Sequence, residues 1–282
     1  LLKDGDGNWI RNPDADNAAN LAPDYYTKLA EGQKEGFVKV YCLGDYGSVE
    51  LGKRVYPEFN YDIHSTDTID AIQGEAIHLG WDFGLTPACV VVQFTSRGHL
   101  RVLKEYTAED MGIRTFAQSV VIPNLTRDFP YCKVGDSEAD PSGLKADEIM
   151  EELSCIGELT NLGIETQGAS TNDPDTRIGG VRYFLNTMVD GVPCFRISRS
   201  GCPTLVKGFQ RDYIYKRKKI DGEESYRETP HKNYASHPHD ALQYISLKFA
   251  SDHLVRKQAK GPEPDTFNMV SQIFNIQGGF HG

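Results

Sequence analysis

No stretch of this chain approaches the roughly 18 consecutive apolar residues of a membrane-spanning helix, so no membrane partner is expected. The first residues, LLKDGDGNWIRNPDADN, lack the long apolar core of a secretory leader. None of the six cysteines, at positions 42, 89, 132, 155, 194 and 202, forms a Cys-x-x-Cys pair, which argues against a zinc site. Cys89, Cys132 and Cys155 lie among apolar residues and read as reduced core thiols of a reducing compartment. No G-x-x-x-x-G-K-[ST] run occurs, which excludes a P-loop. Asp4, Asp6 and Asn8 are spaced as in a calcium loop, but the glycine and distal glutamate of such a loop are missing. Positive charge is also short: 30 Lys and Arg against 40 Asp and Glu give a net charge of −10. Taken alone, that argues against nucleic acid as a partner, although a basic patch overrides a sum.

What remains is a 282-residue chain, 39% hydrophobic and 25% charged, enough for one large domain or two small ones. Residues 1–75 are rich in Asn, Asp, Gly and Pro, and read as a linker or appendage. A helix over Asn20–Lys28 and a strand over Phe37–Cys42 are expected there, then extended chain ending in Val55-Tyr56-Pro57-Glu58-Phe59. Regular patterning starts at Ala76. Strands are expected at Ala76–Asp82, Ala88–Thr95 and Leu100–Tyr106, as a meander turning at Ser96-Arg97-Gly98. A helix over Ile113–Phe129, kinked by Pro123, leads to a strand at Cys132–Asp136 and a helix at Ala146–Leu153. Further strands are expected at Gly163–Thr166 and Phe195–Ser198, and helices at Thr176–Asn186 and Thr204–Gln210. Tyr213–Tyr226 reads as a hairpin turning at Asp221-Gly222, and Ala241–Asp252 as an apolar helix. The whole is a mixed α/β sheet over residues 76–252, with a flexible tail at 253–282.

Three acidic motifs fall at element ends in this plan. Asp82 closes an apolar strand in Leu79-Gly80-Trp81-Asp82-Phe83-Gly84. Asp136, Glu138 and Asp140 share the run DSEADPSG; strand position favours Asp136, and the turn Asp140-Pro141-Ser142-Gly143 favours Asp140. Asp240 precedes the last helix in His237-Pro238-His239-Asp240-Ala241. Each has an ordinary use, as a turn residue, a loop acid or an N-cap. Together they can meet at one sheet edge, where carboxylate oxygens suit a magnesium or manganese ion. His237 or His239 would join them as a ligand or as a helper for water or phosphate.

Arg196, Arg199, Lys207, Arg211, Lys216, Arg217, Lys218 and Lys219 cluster against a single acid, Asp212. Tyr213 and Tyr215 interleave with them. A charge run is usually a solvated face. In an acidic chain, this one is a candidate for contact with a phosphate backbone.

With these residues in view, the chain resembles the nuclease domain of the large terminase subunit of tailed bacteriophages. The resemblance rests on Gly80-Trp81-Asp82-Phe83-Gly84, Gly135-Asp136, Asp140-Pro141-Ser142-Gly143 and His237-Pro238-His239-Asp240-Ala241-Leu242. Gly52 through Phe59 resembles the stretch that joins the family's ATPase domain to its nuclease, and Gly201 through Phe209 also fits. The resemblance implies an RNase H-like fold with an added basic β-hairpin. It implies hydrolysis of concatemeric double-stranded viral DNA with two Mg2+ or Mn2+ ions during packaging. Asp82 would bridge both ions, Asp240 would hold one, and Asp136 or Asp140 the other. One ion lowers the pKa of the attacking water and the second stabilises the leaving oxygen. The implied partners are double-stranded DNA, the protein's own N-terminal ATPase domain, the portal and the small terminase subunit, in the host cytoplasm. The motor is absent and the chain starts on Leu1, so it reads as part of a longer protein. Two other readings stay open. Asp82-Phe83-Gly84 matches the first phosphate loop of actin-like ATPases, although no second loop is found. A non-catalytic DNA-binding or assembly module is the other, disfavoured by acids that would repel phosphate.

Overall fold

The computed structural model describes residues 2–3, 9–10, 22, 24–30, 52–144, 154–220 and 223–259. The chain divides into two compact units, Leu1–Lys53 with Lys216–Tyr226, and Arg54–Tyr215 with Arg227–Gly282.

In the smaller unit, Leu2–Lys3 pairs antiparallel with Trp9–Ile10. The helix Tyr25–Ala30 carries an ion pair between Lys28 and Asp24 at 2.6 Å. The expected hairpin is present: Ile214–Ile220 and Glu223–Tyr226 pair antiparallel, with Arg217 opposite Tyr226 and Lys218 opposite Ser225. Its expected turn, Asp221-Gly222, lies outside the described residues, as do the strand expected at Phe37–Cys42 and the helix expected at Ala146–Leu153.

The larger unit is built on a seven-stranded sheet. Its strands are β1 (Ser65–Thr66), β2 (Ile77–Asp82), β3 (Ala88–Phe94), β4 (Leu100–Thr107), β5 (Val134–Ala139), β6 (Gln167–Gly168) and β7 (Phe195–Ser198). Their order across the sheet is β1-β7-β4-β3-β2-β5-β6. The first long strands, β2, β3 and β4, form an antiparallel meander. β5 joins the free edge of β2 in parallel, β6 joins β5 in parallel, and β7 lies parallel to both β4 and β1. An antiparallel meander extended by parallel strands on its first member is the RNase H-like mixed sheet. The parallel additions need crossovers, and helices supply them.

β3 is a central strand buried on both faces. Ala88, Val90 and Val92 enter one core, and Cys89 and Val91 the other, the two-residue period of a pleated strand. The first core lies under the two long helices, α1 (Pro174–Asn186) and α2 (Ser236–Ala259). Val55, Tyr56 and Phe59 are buried in it, so the chain from Arg54 onward contributes to the larger unit. The second core lies under the run Ile113–Phe116, Ala117–Val121 and Ile122–Asp128. Its middle piece is a π-turn falling just before Pro123, which lacks the N–H that would continue the helical ladder. No helix of the described residues is long and apolar enough to cross a membrane.

Several boundaries differ from expectation, and three of the differences bear on the elements around the acids. The strand expected at Cys132–Asp136 runs instead over Val134–Ala139. Its polar residues are poor strand formers, but Ser137 is satisfied from far away. Trp81 Nε1 donates to Ser137 Oγ at 2.9 Å, and Thr166 Oγ1 lies 2.9 Å from the same atom. The strand expected at Gly163–Thr166 appears at Gln167–Gly168, because Gly163 and Ile164 first close the helix Cys155–Asn161. Gly163 has φ +83°, and Ile164 N–H returns to Leu159 O at 3.0 Å. The helix expected over Ala241–Asp252 begins five residues earlier, at Ser236, and runs on to Ala259, into the stretch expected as tail. Asn233 Oδ1 accepts from the N–H groups of Ala235 and Ser236, and Pro238 is tolerated in the first turn. Asp240 is therefore inside the helix and is not its N-cap.

Candidate functional site

Parallel register brings two of the acids together. Gly80 pairs with Glu138 and Trp81 with Ala139, so Asp82 and Asp140 are the next residues on neighbouring strands. Asp82 is the last residue of β2, and Asp140 is the first after β5. The two strand-end turns also pack together: a Cβ at Gly143 would overlap the Phe83 ring. Asp140 Oδ1 accepts from Ser142 N–H at 2.8 Å and from Asn172 Nδ2 at 3.2 Å.

α2 brings in the third acid. It crosses β2 so closely that a Cβ at Gly80 would overlap the Ala241 carbonyl oxygen. Only glycine permits that approach. Asp240 sits one residue before Ala241 and is 3% exposed; Asp82 is 5% exposed. His237, three residues before Asp240, places Nδ1 2.9 Å from Asp82 Oδ2. The other histidine of the motif does something different. His239 is buried and stacks on Tyr213 at 4.5 Å, and burial lowers its pKa to about 3. It is a neutral core residue.

Several contributors escaped the sequence reading. The Tyr213 hydroxyl donates to Asp240 Oδ1 at 3.3 Å and accepts from Gln243 Nε2 at 3.0 Å. Arg177 Nη1 stands 3.6 Å from the same Oδ1, and its guanidinium lies over the Tyr244 ring at 4.7 Å. The Tyr244 hydroxyl donates to Asn172 Oδ1 at 2.9 Å, which leads back to Asp140. Lys232 Nζ is hydrogen-bonded to Asp240 Oδ2. One usable signal existed for Arg177: it shares the apolar face of α1 with Val181 and Phe184, at helical spacing, and all three are buried. Asn172 and Tyr244 carry no such local mark.

The electrostatics follow from burying acids together. Burial pushes the Asp82 carboxyl above the ordinary range, the His237 hydrogen bond opposes the rise, and Asp240 adds to it. Burial also raises Tyr213, with Asp240 reinforcing. Tyr244 is raised chiefly by burial, and it feels the charges of Asp140, Asp240 and Asp82 together. Among the described residues, no three His, Cys, Asp or Glu side chains stand close enough to hold a metal ion as placed. Lys232 and Arg177 meet the charge of Asp240, and His237 lies against Asp82.

Asp136 is elsewhere. It is exposed and lies four residues before Asp140, roughly 13 Å along an extended strand. Its carboxylate is 3.1 Å from His78 Nδ1, which also accepts from the Asp136 N–H at 2.9 Å. Glu138, between them, is 5% exposed; burial raises its pKa to about 7, with Lys248 opposing.

The basic residues separate as well. Arg196 Nη1 donates to Ile63 O at 2.6 Å. Arg199 binds Ser65 Oγ at 2.8 Å and Asp67 Oδ1 at 3.1 Å, and lies over the Tyr61 ring at 4.0 Å. Both therefore fasten the β1 edge of the sheet. Arg211 Nε is 3.3 Å from Asp212 Oδ1, and Lys207 is exposed at the end of the helix Pro203–Lys207. Lys216 and Arg217 are exposed on the hairpin and Lys218 is half-buried there; the Lys219 side chain lies outside the described residues.

No protein-family model matches the chain. No curated protein matches it either. Among solved structures, the large terminase of the thermophilic bacteriophage D6E (crystal form 2) is similar at 18% identity and a TM-score of 0.51. The match covers 83% of this chain and 53% of that one. The same terminase in complex with ADP gives 18% identity and a TM-score of 0.50, over 82% and 53% of the two chains. The manganese-bound nuclease domain of the bacteriophage SPP1 large terminase gives 16% identity and a TM-score of 0.43, over 65% and 94%. This chain thus spans about half the length of the D6E structures, and the likeness shows a shared fold.

Proposed function

We propose that the larger unit is a metal-dependent endonuclease acting on double-stranded DNA, the cutting part of a phage large terminase. The observation that carries this reading is the register pair Trp81 and Ala139, which sets Asp82 beside Asp140 where α2 delivers Asp240. The likeness in fold to the D6E large terminase supports it.

The donor set fits a magnesium-type ion: three carboxylates, two of them buried, with the Lys232 ammonium already standing on Asp240 as a cation would. Asp82, Asp140 and Asp240 would hold two such ions. When bound, divalent ions lower the pKa of an attacking water and neutralise charge on the leaving oxygen. The chain's own residues do the rest. His237 orients the Asp82 carboxylate, as an outer partner does for a metal-binding acid. Tyr213, backed by Gln243, and Arg177 fix Asp240. Asn172, held by Tyr244, fixes Asp140. Lys216, Arg217 and Lys218 on the hairpin would meet the phosphate backbone.

In this reading the chain works beside an ATPase domain, with a portal and a small terminase subunit, cutting concatemers in the host cytoplasm. Supercoiled plasmid provides the test. Nicked and linear products are expected with Mg2+ or Mn2+, and none in EDTA or with Asp82→Asn. Cleavage in EDTA, or undiminished cleavage by Asp82→Asn, would refute the reading.

A further inference from the structure

We propose that Lys232 is the exchangeable counter-ion of this site: its ammonium holds Asp240 while no divalent ion is bound, and a divalent ion displaces it. The inference rests on the proposed metal-binding role of Asp240.

The two oxygens of Asp240 are treated differently. Oδ1 receives the Tyr213 hydroxyl at 3.3 Å and faces Arg177 Nη1 at 3.6 Å. Both partners are fixed. Tyr213 is buried and held by Gln243, and Arg177 is buried against Tyr244. Neither leaves without unpacking the first core. Among the described residues, Oδ2 receives Lys232 alone. The Lys232 side chain is 70% exposed, whereas that of Asp240 is 4% exposed. The lysine therefore reaches in from solvent, and only its tip meets the buried carboxylate. Its withdrawal breaks one ion pair and no packing.

That arrangement has a charge logic. Asp82 and Asp240 are buried within each other's field, and Lys232 acts on both. A buried carboxylate stripped of its cation is strongly destabilising. Without metal, the site needs the ammonium. A divalent ion brings twice the charge to the same oxygens, so the two compete for Oδ2. A compact, strongly hydrated ammonium on a flexible stem suits that exchange, whereas the Arg177 fork serves as the permanent partner.

The test is calorimetric titration of Mn2+ into the 282-residue chain as wild type, Lys232→Met, Lys232→Arg and Asp240→Asn, with melting curves in EDTA and in saturating Mn2+. Lys232→Met is expected to bind Mn2+ about tenfold tighter, the factor for a site that Lys232 occupies roughly nine-tenths of the time. It is also expected to melt lower than wild type in EDTA, with the gap closing in Mn2+. Lys232→Arg keeps the charge, so it should melt near wild type in EDTA and bind Mn2+ no tighter than wild type. If Lys232→Met fails to fold in EDTA and Mn2+ restores it, the same competition is seen in stronger form; failure that Mn2+ does not restore overturns the inference. Unchanged or weaker Mn2+ affinity in Lys232→Met, with wild-type binding abolished by Asp240→Asn, overturns the Lys232 inference alone. Wild type that takes up no Mn2+, or Asp240→Asn that takes up as much, overturns the metal site and this inference with it.

Discussion

Trp81 and Ala139 face each other across adjacent parallel strands, so the residue after each, Asp82 and Asp140, stands at the same edge of the sheet. Asp136 is left within β5, four residues before Asp140, exposed and beside His78. The consequence is a sharp contrast between two acids four residues apart. Asp140→Asn should weaken Mn2+ binding and plasmid cleavage by more than the roughly 10–100-fold typical of losing an outer partner. Asp136→Asn should leave both within a fewfold of wild type. Titration and cleavage assays on the pair decide the matter, and the reverse ranking would move the site.

Gly80 is the joint between β2 and α2. Gly80→Ala pushes a methyl group into the Ala241 carbonyl and toward Ile245 Cγ2. Overpacking of this kind costs typically about 1–3 kcal/mol. Urea unfolding should show that loss, and cleavage should fall as well, because the helix that carries Asp240 is displaced.

Glu138 predicts a pH dependence of stability in metal-free protein. Its folded pKa is raised to about 7 from an ordinary 4.5 by burial. Between these values the folded state keeps a proton that the unfolded chain has lost. The stabilising contribution is complete below about pH 4.5 and falls away as the pH rises through 7. Glu138→Gln removes the dependence. Relative to wild type, it should gain stability on the order of 3 kcal/mol at most between pH 4.5 and 8. Denaturant melts in EDTA across that window should show the two curves diverging as pH rises; parallel curves would count against a protonated Glu138.

The basic residues should divide by salt dependence. Each phosphate contact contributes about 0.9 to the slope of log affinity against log salt. Replacing Lys216, Arg217 and Lys218 with alanine should reduce the slope for duplex binding by roughly 2–3. Arg196→Ala should leave it unchanged, since that guanidinium is spent on Ile63 O. Fluorescence anisotropy over a salt series measures both.

Much of this was legible in the sequence, and the reason is local. Asp82 ends an apolar strand, and His237 and Asp240 open an apolar helix, so element ends alone located them. The choice between Asp136 and Asp140 was not legible. It depended on where β5 stops, and Asp136, Ser137 and Glu138 disguise the strand as a polar run, in which Ser137 finds its partners, Trp81 and Thr166, far away in sequence. His237 and His239 look equivalent in the motif, yet the pitch of α2 sends one to Asp82 and the other into the core. Counting charge could not separate Arg196 and Arg199, which fasten the sheet edge, from the hairpin lysines. Asn172, Tyr244 and Lys232 became visible only once tertiary packing placed them around the acids, whereas Arg177 stood out only as a charge on the apolar face of α1.

The most direct measurement is an anomalous scattering map from crystals grown with Mn2+. Peaks bound by carboxylate oxygens of Asp82, Asp140 and Asp240, with the Lys232 ammonium withdrawn from Asp240, are the predicted result. Peaks at Asp136, or none near Asp82 at saturating Mn2+, would contradict it.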